Sequence, residues 1–543
     1  MFQQRNHFEC DGNDEVKKIK FNELLFTNDY IRHILSFLDK YIIFRTCSLI
    51  SKQFREQTIN TPVTLHIKKK EHLERITNLT NPLHITELIM GLHVMFNVLE
   101  WVFNQPPKYL KKLSIGSTYG ISSGKTIGDE HVERLCGIPA FSTLTSLHIG
   151  YNIMTDKGCS FISNCEYFKN LTELSVRQSK CNEEGVELIV RSKYMNKLTS
   201  LCFSRNNFST IEGILSSPLF LHVKKLDLSN CSIEKLIFPQ MMPLLDDLKL
   251  IGNNFKSNEL VALTQTRNLT RLNLSHSYLD DDGCKIMSEN QYLSKLTDLD
   301  MCYVEITTKG LKYIVSSPYF KQLVRLNLQN TSVDDEGCKI LAESENMRNL
   351  TSLKLGNDED NITLDGLSNI FNSNNLCNLQ ILLLKGLDLN DVNFGTMLSM
   401  SSFRKNLTSF TLSYCDLDLF GLQNVAQLDR LKELKIVHYK TMENVCECIA
   451  SSSHMSNLTS LTLSCEITDN GCLHLANSIY LSQLTILELY SNQIGNDGCE
   501  YFAHCPNFPN LTTFDLLDNK MDSIGLKMIQ NSPYFQNLKH FNV

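Results

Sequence analysis

The sequence has few of the residues that form linkers between domains, since it contains 24 glycines and 12 prolines among 543 residues. Long flexible linkers are rich in such residues, so a chain of several separately linked domains is not expected. Net charge is also small, because 52 Lys and Arg against 59 Asp and Glu give −7. A dedicated nucleic-acid-binding protein usually has a basic surface, and we therefore expect no nucleic-acid partner.

Apolar runs long enough to cross a membrane are missing as well. The most apolar stretch, residues 88–103, is interrupted by His93, Asn97 and Glu100, and it is shorter than the roughly 20 residues that a membrane helix needs. The first 20 residues contain no apolar segment of signal-peptide length. We therefore expect a cytoplasmic or nuclear protein that is not secreted and has no membrane partner. Its 19 cysteines would be reduced thiols.

Motifs of catalysis and metal binding are not found. Residues 120–126, GISSGKT, place three residues between the two glycines, whereas a phosphate-binding loop needs four. Cys446 and Cys448 have no second cysteine pair at zinc-ligand spacing. The sequence contains neither a His-Glu-x-x-His motif nor a nucleophile elbow. We therefore expect no enzymatic activity, no cofactor and no metal site.

What the sequence does contain is a repeat. Segments that begin at Leu144, Leu171, Leu269, Leu323 and Leu484 align without gaps over 27 residues, with apolar residues at positions 1, 4 and 6. Self-similarity at such a period is typical of repeat proteins. Other starts at less regular spacing bring the number of repeats to 18, and Leu538 opens a truncated nineteenth strand. These other starts are Pro62, Ile85, Leu110, Leu198, Val223, Leu245, Leu296, Leu350, Leu379, Leu407, Leu431, Leu458 and Leu511.

The order of residues within a repeat predicts a strand, a turn and a helix. Positions 1 to 6 alternate in the manner of a short strand with one buried face. Asp or Asn, as at Asp156, Asp335 and Asn496, suits the cap of the following helix. The glycine at position 15, as at Gly158, is expected where a strand and a helix approach closely. Because no repeat can bury its apolar face alone, the repeats must stack into one continuous core.

Cysteines recur at position 16, among apolar residues at helical spacing. Free cysteine packs well as a small apolar side chain, so we expect these thiols to lie in the core. They are Cys159, Cys284, Cys338, Cys499 and, in a repeat shortened by one residue, Cys472.

This pattern resembles the leucine-rich repeat, and its period is similar to that of the ribonuclease-inhibitor-like and cysteine-containing subtypes. The resemblance covers residues 62–543. It implies an α/β horseshoe solenoid of about 18 repeats, with parallel strands on the concave face and helices on the convex face.

The first 61 residues do not follow the repeat. Residues 1–20 form a polar tail that we expect to be flexible, and residues 21–61 predict a small helical module, in which apolar residues of the segment 30–38 share one helix face. The segments 26–38, FTNDYIRHILSFL, and 49–54, LISKQF, resemble the F-box, although Thr27 and Phe54 stand where that family usually has Pro and Trp. The alternative is a helical cap over the first repeat.

The F-box resemblance implies a Skp-family adaptor as a partner and, through it, a cullin complex. The residues assigned to the adaptor contact are Phe26, Tyr30, Ile31, Ile34, Leu35, Leu38, Ile50 and Phe54.

In a leucine-rich strand, positions 3 and 5 point out onto the concave face, with positions 7 and 8 at its edge. Arg271 and Arg325 flank two acidic residues on the strand between them, within reach of cross-strand pairing. A solvated surface whose charges pair with one another is therefore the alternative to a partner site. Ile381 and Leu383 would expose apolar side chains on the same face, which suggests anchors for a protein substrate. The residues predicted to contact this substrate are His148, Tyr151, Arg177, Arg205, Lys249, Arg271, Asp298, Asp300, Tyr303, Arg325, Lys354, Ile381 and Leu383.

Together these features predict the substrate-recognition subunit of a cullin-based, SCF-type ubiquitin ligase. Catalysis would come from other chains that are brought close to the bound substrate. The alternative is a stand-alone interaction scaffold or inhibitor with an N-terminal cap. A GTPase-activating repeat protein is a third class, which the lack of an acidic tail and of a distinct single arginine site disfavours.

Overall fold

The structure is a computed structural model, and it describes residues 63–67, 85–90, 95–115, 127–208, 210–357, 361–438 and 444–543. The predicted tail, the predicted helical module 21–61 with all eight adaptor-contact residues, and the glycine segment 120–126 lie outside the described residues.

The described part of the chain builds a 19-stranded sheet in which each strand pairs in parallel with the next repeat's strand. A separate pair of two-residue strands, β14 (Asp388–Leu389) and β16 (Asp416–Leu417), lies beside it. The strands of the main sheet are β1 Val63–Ile67, β2 Ile85–Met90, β3 Lys112–Ile115, β4 Ser146–Ile149, β5 Glu173–Ser175, β6 Ser200–Cys202, β7 Lys225–Asp227, β8 Asp247–Lys249, β9 Arg271–Asn273, β10 Asp298–Asp300, β11 Arg325–Asn327, β12 Ser352–Leu355, β13 Ile381–Lys385, β15 Ser409–Ser413, β17 Glu433–Val437, β18 Ser460–Ser464, β19 Ile486–Glu488, β20 Thr513–Asp515 and β21 His540–Asn542.

Helices follow most strands and pack side by side in chain order. The α-helices are α1 Met95–Asn104, α2 Asp129–Cys136, α3 Asp156–Asn164, α4 Glu183–Val190, α5 Glu212–Leu215, α6 Asp281–Ser288, α7 Thr308–Ser316, α8 Asp335–Glu343, α9 Leu364–Asn372, α10 Val392–Met400, α11 Leu419–Val425, α12 Val445–Ser451, α13 Asp469–Ala476, α14 Asn496–Ala503 and α15 Ser523–Gln530. Short 3₁₀ helices complete several repeats, at Pro139–Thr143, Glu166–Phe168, Pro218–Leu221, Ser257–Gln265, Gln291–Leu293, Pro318–Phe320, Glu345–Met347 and Ser453–Asn457.

A long parallel sheet backed by helices is the architecture of a leucine-rich-repeat solenoid, so this part of the fold prediction is confirmed. The side chains at positions 1, 4 and 6 form one continuous apolar core, as Leu296, Leu299 and Met301 illustrate with 0% exposure. The cysteines at position 16 are also fully buried, which confirms their predicted packing. Burial raises the pKa of the Cys338 thiol to about 12, so this thiol is neutral.

The residue two positions before the glycine caps the neighbouring helix and not its own, which corrects the prediction for Asp156, Asp335 and Asn496. The residue before that one caps its own helix at Asp280 and Asp334. Asp281 is the first residue of α6, yet its carboxylate accepts hydrogen bonds from the Thr307 amide (2.9 Å), the Thr307 hydroxyl (2.7 Å) and the Gly310 amide (2.9 Å) of α7. Asp335 makes the equivalent bonds to the start of α9. Because adjacent helices start side by side, each carboxylate lies against the next helix N-terminus, where negative charge is stabilising.

The role of the glycine at position 15 is corrected by the same contact. A Cβ on Gly185 would collide with the Asp156 Oδ1, and a Cβ on Gly310 would collide with the Asp281 Oδ1. These glycines therefore make room for the carboxylate of the preceding helix, and the close approach is between helices and not between a strand and a helix.

Candidate protein-binding surface

The outward side of the 19-stranded sheet, formed by positions 3, 5, 7 and 8 of each repeat, is the strand face. In β10 the central Leu299 is buried while Asp298 and Asp300 are partly exposed. The strands are in register, so that Asp298 lies between Arg271 and Arg325 of the two neighbouring strands. Rows of equivalent side chains therefore run along the strand face, one strand spacing apart.

Position 8 of most repeats has a left-handed backbone, as at Arg205 (φ 60°), His276 (φ 55°) and Tyr303 (φ 55°). This conformation is unfavourable for residues other than glycine. It lets the amide of Tyr303 donate to the Gln329 carbonyl of the next repeat (2.9 Å). The side chains of position 8 thus form a row along the edge of the strand face.

Buried asparagines at position 9 hold this turn in several repeats. The amide group of Asn253 donates to the Leu228 and Leu250 carbonyls (both 2.9 Å), and its oxygen accepts from the Cys231 and Ile233 amides (both 3.1 Å). Four satisfied bonds account for an asparagine that is only 1% exposed. Sequence reasoning missed this role, although asparagine recurs after the strand at Asn152, Asn206, Asn253, Asn492 and Asn519.

The predicted cross-strand pairing with Asp298 is confirmed for Arg325, whereas Arg271 pairs with other aspartates. The Arg325 Nε lies 2.7 Å from an Asp298 carboxylate oxygen. Arg271 turns away from Asp298 and binds Asp247 (3.0 Å) and Asp246 (3.4 Å) on its other side. Asp300 accepts the Cys302 amide (3.1 Å) and so closes the turn after its own strand. These side chains are held by partners within the strand face.

Near the start of the described array, two predicted contact residues are also engaged by neighbours. The His148 Nε2 lies 3.2 Å from Glu173. This contact and the Ser146 hydroxyl lower the pKa of Glu173 to about 2. Tyr151 is only 8% exposed, because Arg177 lies over its ring at 5.3 Å. The predicted contact of Tyr151 with a substrate therefore stays a prediction, and most of this side chain is covered by Arg177.

A second group surrounds Tyr303. His276 stacks on Tyr303 with ring centroids 4.3 Å apart, and the Lys385 Nζ lies 5.6 Å from the centroid of the Tyr303 ring. Lys385 also donates to the Asn330 Oδ1 (2.9 Å). A cleft of about 380 Å³ beside this group is lined in part by Tyr303, Asn330 and Asn357. Sequence reasoning named Tyr303 alone, and reading positions 7 and 8 of every repeat would have found the others.

The remaining predicted residues are spread along the strand face. Arg205 and Lys249 are exposed on two early strands, whereas Lys354, Ile381 and Leu383 lie together on β12 and β13. Ile381 is 39% exposed and Leu383 is partly exposed. From β6 to β13 there are seven strand spacings of about 4.8 Å, or roughly 34 Å. The structure therefore places the predicted substrate residues along one surface and not in one compact site.

Within the residues that the structure describes, no group of three or more His, Cys, Asp or Glu side chains could hold a metal ion. Among the described helices, none combines the length and the hydrophobicity that crossing a bilayer requires.

Comparisons with known proteins support the repeat assignment. A family model described as Leucine Rich repeat matches residues 142–163 and 481–503. A search of curated proteins finds no match.

Three solved structures are similar in fold. An internalin of Listeria monocytogenes is 19% identical, with 76% of this chain and 94% of that chain covered and a TM-score of 0.37. A leucine-rich-repeat protein of Leptospira interrogans is 19% identical, with 81% and 98% covered and a TM-score of 0.35. TLR13 in its complex with ssRNA13 is 17% identical, with 85% and 62% covered and a TM-score of 0.40. The fold assignment rests on the repeat geometry of this chain itself.

Proposed function

We propose that this chain selects a protein substrate for a cullin-based ubiquitin ligase. The strand face of the repeats would bind the substrate, and the helical module 21–61 would bind a Skp-family adaptor. The observation that carries the substrate-binding part is the strand face itself, a row of in-register outward side chains from 19 parallel strands. Such repeated surfaces are extended and can contact a large partner.

The adaptor-binding part is supported by the sequence of residues 26–54, which resembles an F-box and directly precedes the repeats. A small helical unit has little core of its own and usually needs a docked partner. In this arrangement the chain contributes proximity and orientation, while the chemistry belongs to other subunits.

A stand-alone interaction scaffold is the second candidate function. It is favoured by the same strand face and needs no adaptor, because the N-terminal module would then only cover the first repeat's core.

Affinity purification of the tagged full chain tests the proposal. We expect a Skp-family adaptor and a cullin to be recovered with the wild-type chain. Ile34→Asp or Leu35→Asp should abolish that recovery, because a charge would enter the predicted apolar contact face. The matched control is Ile524→Asp, which places the same charge on a 56% exposed isoleucine of α15 and should keep the adaptor.

A second variant tests the substrate-binding part of the proposal. Ile381→Asp combined with Leu383→Asp should release the substrate and retain the adaptor. If the wild-type chain recovers partners but never an adaptor, the ligase role is wrong and the stand-alone scaffold is supported. If every partner stays bound to the Ile381→Asp, Leu383→Asp variant, the anchor assignment is wrong.

A further inference from the structure

The outward side chains of the strand face differ at four consecutive strands, β12, β13, β15 and β17, from those of the earlier strands. Their registers place Lys354, Leu383, Thr411 and Lys435 in one row across the sheet. At about 4.8 Å per strand, Leu383 lies roughly 5 Å from the Lys354 backbone and roughly 10 Å from the Lys435 backbone. One apolar side chain is thus flanked by a lysine on each side.

The two lysines of this row are available for a partner. Neither Lys354 nor Lys435 forms an ion pair within the described residues. The Lys435 Nζ lies over the Tyr490 ring at 5.9 Å, an interaction that leaves its charge without an anionic partner. Lys385 is held by Asn330, and we assign it no contact.

Acidic side chains are scarce on these strands. Among their described outward residues Glu433 is the acidic one, and its carboxylate accepts the Ser409 hydroxyl (2.9 Å). Ile381, at 39% exposure, lies beside Leu383 and extends the apolar surface. The patch therefore combines exposed apolar area with unneutralised positive charge, whereas Arg271 and Arg325 on earlier strands are already paired.

We propose that this patch binds an extended acidic peptide segment of the substrate, with an apolar side chain on Leu383 and Ile381 and carboxylates on Lys354 and Lys435. The proposal rests on the proposed substrate-binding role of the strand face. An extended peptide advances about 3.3 Å per residue. The acidic residue that contacts Lys354 would therefore lie one or two positions from the apolar residue. The acidic residue that contacts Lys435 would lie about three positions from it, on the other side.

Fluorescence anisotropy with the purified full chain tests this inference. The probe is a fluorescein-labelled Gly/Ser peptide that carries one Leu, a Glu two residues before it and a Glu three residues after it. Two matched peptides replace both Glu by Gln, or the Leu by Ser. We expect each replacement to weaken binding by about tenfold or more, which corresponds to about 1.4 kcal/mol of binding free energy.

The protein variants locate the site. Lys354→Glu combined with Lys435→Glu should abolish binding of the acidic peptide, while the corresponding arginine variants should keep it. Lys225→Glu is the matched control, since Lys225 is an exposed lysine of the strand face on β7, outside the patch. This variant should bind the peptide as the wild type does. Binding should also weaken as ionic strength rises from about 0.05 to 0.5 M, because Lys354 and Lys435 are partly exposed and salt screens their charges.

Three results would overturn the inference: no binding of the acidic peptide at millimolar concentration, equal binding of the Gln peptide, or equal loss with Lys225→Glu. The assay requires no adaptor, so its failure is distinct from a failure to recover the ligase. Conversely, the Lys354→Glu, Lys435→Glu variant should still recover the adaptor in affinity purification.

Discussion

Two stretches of the same sheet differ in how their surfaces are stabilised. The ion-paired segment, residues 245–355, has mostly three-residue strands whose arginines bind aspartates of the preceding strand. The apolar segment, residues 379–437, has five-residue strands, and its first strand exposes Ile381 and Leu383. Both segments bury the same kind of core, as Leu299 and Phe410 show with 0% exposure.

The helices of the two segments differ as well. In the ion-paired segment, α6 and α8 begin with Asp281 and Asp335, and both carboxylates cap the following helix. In the apolar segment α10 and α11 begin with Val392 and Leu419, which are 62% and 47% exposed. These two helices are the ones without a charged residue among the described α-helices.

The difference shows that the core and the surface of a repeat are specified by separate positions. Positions 1, 4 and 6 are constrained by burial in every repeat, because each neighbour packs against them. Positions 3 and 5 point outward and are not constrained by the core, so the side chains there can differ from repeat to repeat. Exposed apolar residues lie on both sides of the apolar segment, at Ile381 on the strand face and at Val392 on the helix side, and the peptide site proposed above uses the first of these.

The largest expected effect concerns the carboxylate that links two helices. Asp281→Ala removes three hydrogen bonds to α7 and should lower the free energy of unfolding by about 1–2 kcal/mol, as the loss of a helix cap does. Val392→Ala, the equivalent helix position in the apolar segment, should change it by less than about 0.5 kcal/mol. Urea unfolding measures the loss, and faster amide hydrogen exchange at Thr307 and Gly310 locates it. Equal effects of the two substitutions would contradict the proposed difference between the segments.

Acid should weaken the ion-paired segment before the apolar one. The Thr308 hydroxyl and the Gly337 amide hold the pKa of Asp334 below its ordinary 3.8. Because the folded pKa is the lower one, this stabilisation is complete above the ordinary value and disappears as the pH falls through the folded value. Pepsin cleavage mapped by mass spectrometry should therefore begin within 245–355 as the pH drops below about 4.

Thr308→Val sharpens the acid experiment. Without its hydroxyl donor, the pKa of Asp334 should rise, and the first cleavages should appear at a higher pH. Thr411→Val, on the strand face of the apolar segment, is the control and should leave the cleavage profile unchanged. First cleavage in 379–437 would show that the hydrogen-bonded carboxylates do not set the acid sensitivity.

The smallest effect is expected from the strand-face ion pair. Arg325 and Asp298 are 48% and 29% exposed, and exposed pairs contribute about 0–1 kcal/mol. Arg325→Ala should therefore lower the free energy of unfolding by less than about 1 kcal/mol, and high salt should remove the difference from the wild type. Arg205→Ala, at an exposed arginine that forms no ion pair within the described residues, should have no effect at either salt concentration. A salt-independent loss well above 1 kcal/mol would show that the pair is structurally more important than its exposure suggests.

Much of the fold could be predicted because the same positions are buried in every repeat. The apolar residues at positions 1, 4 and 6 and the cysteines at position 16 share one environment in each repeat, and repetition makes their pattern visible. The caps were harder to predict, because the side chain of Asp281 acts on the next helix and not on its own. The surface was the least predictable part: Tyr151 occupies an outward position, yet Arg177 covers it.

By itself, the sequence determined the period, the strand–turn–helix order and the parallel stacking, since all three follow from where apolar residues recur along the chain. Only the tertiary structure decided which outward side chains are already paired. Arg271 faces aspartates on two sides, and its choice of Asp247 depends on distances across strands that no local pattern encodes. Core burial follows the same position pattern in every repeat, so it could be predicted from the sequence. Surface ion pairs depend on which side chains face each other across two particular strands, so they could not.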